Sequence, residues 1–111
     1  MAKLYFSTER GLTGAPFGLP PTEKALDAYL EIIGTCSIPW GVSAMGGDVV
    51  GCGIAELALR RGGHIHVGLE AYSGTRQPTN AELVDEVVTL ARALGRTPVD
   101  YRECADFLGF G

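Results

Sequence analysis

No run of apolar residues in this chain reaches the length of a signal-peptide core or a membrane span; the opening Met-Ala-Lys-Leu-Tyr-Phe passes at once into Ser7, Thr8, Glu9 and Arg10. Basic charge is also scarce. Lys and Arg number 9 against 13 Asp and Glu, for a formal net charge of −4, and the sequence pI is near 5.0. With the cations scattered rather than clustered, no nucleic-acid or membrane partner is expected. Cysteine is limited to Cys36, Cys52 and Cys104. Their odd number and wide spacing fit neither a zinc ribbon nor a redox pair, and the expectation is three free, buried thiols in a cytoplasmic protein. Low-complexity tracts and breaks in composition are missing too, so residues 1–111 read as one unit. What remains, with 46% hydrophobic and 20% charged residues, suits a single globular core.

The order of local signals is strand, helix, strand, helix, strand, helix, helix. Residues 3–7 are β-prone, and 8–21, rich in glycine and proline, read as a long loop. Thr22 is placed to cap a helix carrying Ala25, Leu26, Tyr29, Leu30 and Ile33 on one face, and Gly34 to end it. Residues 38–44 alternate as a second strand through Ile38, Trp40, Val42 and Ala44. Trp40 and Met45 are taken as core side chains. Gly46 and Gly47 then make a turn, and Asp48 is placed to cap a helix with Val50, Ile54, Leu57 and Ala58, which ends at Arg60, Arg61, Gly62 and Gly63. Gly51 and Gly53 weaken that helix by roughly 1 kcal/mol each relative to alanine. A third strand spans 64–70. Thr79 and Glu82 have capping-box spacing before an apolar stripe that stops at Gly95, and Asp100 and Glu103 repeat that spacing before a short terminal helix.

Helices between strands, with no hairpin signal, imply an α/β fold of parallel βα units. The third strand then presents an anomaly. Alternation puts Ile65, Val67 and Leu69 on one face and His64, His66, Gly68 and Glu70 on the other, although parallel strands are usually apolar on both. A (β/α)8 TIM barrel accounts for this, because its outer strand face packs on helices while the carboxyl end of its inner face looks into an active site. Such a barrel needs eight strands and roughly 250 residues, so three βα units and a terminal helix cannot close one: they are a fragment of a barrel, units that self-associate, or a small open sheet covered by helices. Glu70, at the carboxyl end with imidazoles nearby, is of a type that binds a divalent metal such as zinc. It also suits a plain exposed carboxylate, and the His64-x-His66 pair suits either ligands or structural side chains.

The segment Gly62-Gly63-His64-Ile65-His66-Val67-Gly68-Leu69-Glu70 resembles the last barrel strand of the β-keto acid cleavage enzymes, whose pattern is Gly-Gly-His-x-Arg-Val-Gly-Leu-Glu-Asp. The segments Asn80-Ala81-Glu82-Leu83-Val84, Ala91-Arg92-Ala93-Leu94-Gly95-Arg96 and Cys104-Ala105-Asp106-Phe107-Leu108-Gly109 are similar to the family's closing helices. Leu19-Pro20-Pro21-Thr22 and Trp40-Gly41-Val42 fit its later units. The resemblance covers nearly the whole chain and the carboxyl-terminal third to half of a family member.

That resemblance implies a zinc-dependent (β/α)8 barrel in which a β-keto acid and acetyl-CoA give acetoacetate and a new acyl-CoA. It assigns Glu70 as one metal ligand, with two histidine ligands on an early strand that these units do not include. Two positions depart from the pattern. His66 stands at the arginine, where it is the candidate catalytic residue, and Ala71 stands at the acid that follows the metal glutamate. The expected partners are a β-keto acid and a CoA thioester, together with further copies of the chain or a complementing chain. A second expectation is a non-enzymatic half-barrel that assembles with itself or a partner; a third is a small α/β domain binding metal through His64, His66 and Glu70.

Overall fold

In the computed structural model, which describes residues 1–8 and 14–110, three parallel strands lie in the order β1-β2-β3 and are joined by helices. Strand β1 is Ala2–Ser7, β2 is Trp40–Met45 and β3 is His64–Ile65; helices α1 to α4 are Glu23–Ile33, Ile54–Arg60, Asn80–Ala93 and Tyr101–Phe107. β1 and β2 pair in register over six residues, from Ala2 with Trp40 to Ser7 with Met45. β2 and β3 pair only at Gly41 with His64 and Val42 with Ile65, although the bond from the His66 N–H to the Val42 carbonyl (2.9 Å) carries the ladder one residue further.

The core is the layer between the sheet and the first two helices. Leu4 and Phe6 of β1 and Val42 and Ala44 of β2 pack against Ala25 and Leu26 of α1 and Ile54, Ala55 and Ala58 of α2. Phe6, Leu26, Val42 and Ile54 are fully buried, each stabilising the fold by about 1.5–3 kcal/mol relative to exposure. The third helix closes against the second, where the Arg96 guanidinium, just beyond α3, donates to the carbonyls of Leu59 and Gly63. Arg61, at the end of α2, pairs with Glu23 and Asp27 of α1.

Caps read from sequence are in place. Thr22 Oγ1 accepts from the Ala25 N–H, and Gly34, at φ 62°, terminates α1. Both capping boxes form, Thr79 with Glu82 and Asp100 with Glu103. Trp40 packs partly buried against the core, as expected. Its ring lies over Gly63, where an added Cβ would overlap it.

Four expectations are corrected. The second strand begins at Trp40, not Ile38, because Pro39 has no N–H for the ladder; Ile38 is left 41% exposed. The second helix begins at Ile54, so Val50 precedes it. Asp48 accepts from the N–H groups of Val50 and Gly51 (3.1 Å each) and caps a turn, and Gly53, left-handed at φ 86°, restarts the chain into the helix. The third strand stops after Ile65, because Gly68 opens a turn in which its carbonyl accepts from Ala71 and Tyr72. Of the thiols, Cys36 is exposed in the α1–β2 connection, while Cys52 and Cys104 are half-buried; burial pushes the Cys52 thiol pKa up. Of the long loop expected at 8–21, residues 9–13 lie outside the described residues.

The two sheet edges differ. The free edge of β1 is covered by its own loop and helix: the Ser7 N–H donates to the Leu19 carbonyl (2.9 Å), and the Tyr29 hydroxyl donates to the Tyr5 carbonyl (2.7 Å). The β3 side instead leads to the half-exposed side chains of Leu69 and Val84.

Candidate functional site

The carboxyl ends of the strands meet in two linked turns. After β2 the chain reverses at Gly46, whose N–H donates to the Ala71 carbonyl (2.9 Å), and the Ser73 N–H donates to the Gly47 carbonyl (3.0 Å). The turn reading of Gly46 and Gly47 therefore holds, and the Gly46 N–H is engaged within the protein. These bonds seat residues 68–73 against the end of β2. From the other side, Asn80, the first residue of α3, accepts the Leu69 N–H on its side-chain oxygen (2.9 Å). Glu70 is thus carried on a turn held at both flanks, with its carboxylate 76% exposed.

His66 lies just below it. Its Nε2 is 3.9 Å from Glu70 Oε1, an ion-pair separation if the ring is protonated and too long for a hydrogen bond. Its Nδ1 is buried and finds no hydrogen-bond partner among the described residues. His64, which shares its strand face, goes elsewhere: its ring meets Phe107 of α4 edge-on, with centroids 5.1 Å apart. Partial burial, followed by the nearby Arg96 charge, lowers its pKa below the ordinary imidazole value. The structure therefore brings Glu70 and His66 together and leaves His64 out. Among the described residues no three His, Cys, Asp or Glu side chains converge as a metal site, which corrects the three-ligand expectation.

A small cavity opens behind these residues, lined among others by Ser43, Val49, His66, Ala71, Leu83 and Glu86. Ala71 is buried at 4% exposure, so the position where the resemblance expects an acid faces the protein interior. On the outer side Arg76 joins Asp48 (3.1 Å) and Glu86, and its guanidinium sits 5.8 Å over the Tyr72 ring. Glu86 first, then Asp48, hold its pKa above the ordinary guanidinium value.

Three contributors were missed in the sequence reading. Asn80 was seen only as part of a closing helix, and its place as the first helical residue facing the third strand's end was the available signal. Arg76 offered none, since its partners lie 28 and 10 residues away. Ser43 gave half a signal, as a hydroxyl in an otherwise apolar strand, but its neighbour depends on register. The metal can be judged on the same residues. Glu70 offers one accessible carboxylate and His66 one imidazole, whereas zinc in proteins usually takes three or four protein ligands, so the described residues alone do not make a zinc centre.

Comparison with curated proteins returned no match. A model of the beta-keto acid cleavage enzyme family matches residues 4–110. That match takes in most of β1, the turn bearing Glu70 and both closing helices, and the chain belongs to the beta-keto acid cleavage enzyme family.

Proposed function

We propose that this chain supplies the closing βα units of a (β/α)8 barrel that cleaves a β-keto acid with acetyl-CoA, giving acetoacetate and a new acyl-CoA. The observation that carries the reading is the placement of Glu70: an exposed carboxylate at the carboxyl edge of a parallel sheet, on a turn held by Asn80 and by the β2 turn. Function in barrels of this kind collects at that edge. Glu70 would contribute one ligand to a zinc ion whose other donors lie beyond the described residues; bound there, zinc supplies Lewis-acid polarisation of a carbonyl. His66 offers a single hydrogen-bonding contact on the same side, in place of the two-pronged grip of an arginine. Zinc binding read by native mass spectrometry, alongside an acetoacetate assay over several β-keto acids, tests this. Zinc retention and turnover only when complementary barrel units are present, with the zinc lost from that assembly in Glu70→Gln, is the expected result. Zinc binding unchanged in Glu70→Gln would overturn the ligand assignment.

A second reading is a non-enzymatic half-barrel that assembles with copies of itself or with a separate chain. It is favoured by His66 and Ala71 together at the two departed positions, and by the half-exposed Leu69, Val84 and Phe107. A defined oligomer in the same spectra, inactive even with complementary units and with His66→Arg and Ala71→Asp in place, is the outcome that selects it.

A further inference from the structure

Ser43 Oγ and His66 Nδ1 are the two buried side-chain polar atoms without a hydrogen-bond partner among the described residues. Their positions are linked. β2 and β3 pair Gly41 with His64 and Val42 with Ile65, and the bond from the His66 N–H to the Val42 carbonyl continues that register. The next pair across the strands is therefore Ser43 with His66, on one sheet face and on strands about 4.8 Å apart. Ser43 is only 2% exposed, and both residues line the same cavity. Its volume is about 10 Å³, close to the room one water molecule needs. Most buried hydroxyls and ring nitrogens in native proteins are satisfied by protein or by ordered water, so two such atoms on residues that line one water-sized space point to a shared partner.

The other side of the imidazole supplies a direction. Nε2 lies 3.9 Å from the Glu70 carboxylate, beyond hydrogen-bond reach, but a lone pair turned toward an ionised carboxylate is repelled, so the neutral ring favours its proton on Nε2 and leaves Nδ1 as an acceptor. Ser43, paired with His66 by the strand register, carries the hydroxyl that can donate to a water shared with that nitrogen. We propose that Ser43 is a positioning residue for His66: its hydroxyl donates to a water in the cavity, the water donates to Nδ1, and the ring is held as the Nε2–H tautomer with that N–H turned toward Glu70. The role this gives His66 rests on the reading under Proposed function, while the Ser43 link itself does not.

Ring-nitrogen NMR of the ¹⁵N-labelled chain at about pH 8, above the ordinary imidazole pKa, reports the tautomer directly, with His64→Gln used to assign the His66 signals. The expected result is a His66 Nδ1 signal of the unprotonated type in the unaltered chain. In Ser43→Ala the ratio of Nε2–H to Nδ1–H tautomer should fall about fivefold or more, the effect of losing one ordinary hydrogen bond. Ser43→Thr, which keeps the hydroxyl, should restore it, and backbone amide spectra verify that each variant is folded. A mixed tautomer in the unaltered chain, or an unchanged ratio in a folded Ser43→Ala, would overturn the proposal. Neither readout involves zinc or turnover, so failure of Glu70 as a ligand and failure of the Ser43 link are seen separately.

Discussion

The sheet's first two strands and its third are built to different ends. β1 and β2 pair over six residues and bury Leu4, Phe6, Val42 and Ala44 under two helices. β3 pairs over two residues, and its chain then leaves the sheet for a turn that exposes Leu69 and Glu70. Burial is concentrated in the first region and the candidate site lies in the second. The contrast is physical: a carboxylate needs water or a partner, so the chain that carries Glu70 leaves the sheet rather than bury it.

The contrast is broken or sharpened most strongly by matched truncations. Phe6→Ala should cost about 3–5 kcal/mol in urea unfolding, through lost burial and a cavity that neighbours fill only in part. Leu69→Ala, at a half-exposed position, should cost less than ~1 kcal/mol. Similar losses at the two sites would mean that the turn is as much a part of the core as β1 is.

Next in size is the buried position beside the site. Ala71→Asp should destabilise the chain by about 3 kcal/mol, because it buries a carboxylate at a 4% exposed position in a cavity where His66, not a permanent cation, is the basic neighbour. Adding His66→Arg on the same cavity should return about 1–3 kcal/mol of that loss, measured as the coupling in a double-mutant cycle. Strict additivity would show the two departed positions to be energetically independent.

Smaller effects follow at the turn itself. Asn80→Ala removes the acceptor of the Leu69 N–H, and about 1 kcal/mol of stability should go with it. The informative measurement is local: amide exchange at Leu69 should quicken while exchange at Phe6 and Val42 keeps pace only with the global loss.

The smallest effect is a pH dependence at His64. Its folded pKa lies below the ordinary 6.5 because of burial, then Arg96. The unfolded chain therefore binds the proton first as pH falls through about 6.5, and the stability contributed by the neutral ring is present above that pH and lost below it. Thermal unfolding followed from about pH 7.5 to 5.5 should show a decline that is shallower in Phe107→Ala, where the ring is less covered. An identical slope in that variant would remove Phe107 from the account.

Much of the fold was legible in the chain because it depends on neighbours in sequence. Thr22, Thr79 and Asp100 cap within three residues of themselves, and the α1 stripe needs only the helical repeat. The errors fell where a local pattern met a competing restraint: Pro39 against the strand alternation, Gly53 against helix entry, Gly68 against continuation of the third strand. Strand alternation put Glu70 and His66 on one face, and the two do meet, although it is the turn opened at Gly68 and not an extended segment that carries Glu70 there. The pair's surroundings were not legible.

By itself the sequence determined the order of βα units, the helix caps, the absence of a membrane-length apolar run and the family to which the chain belongs, all of which are written in local spacing or in a contiguous motif. Only the tertiary structure decided that His64 turns to Phe107 rather than to Glu70, that Asn80 holds the turn, and that Ser43 lies beside His66. Those contacts join residues 11 to 43 positions apart, and which of them meet depends on strand register and helix packing, quantities that no single segment carries.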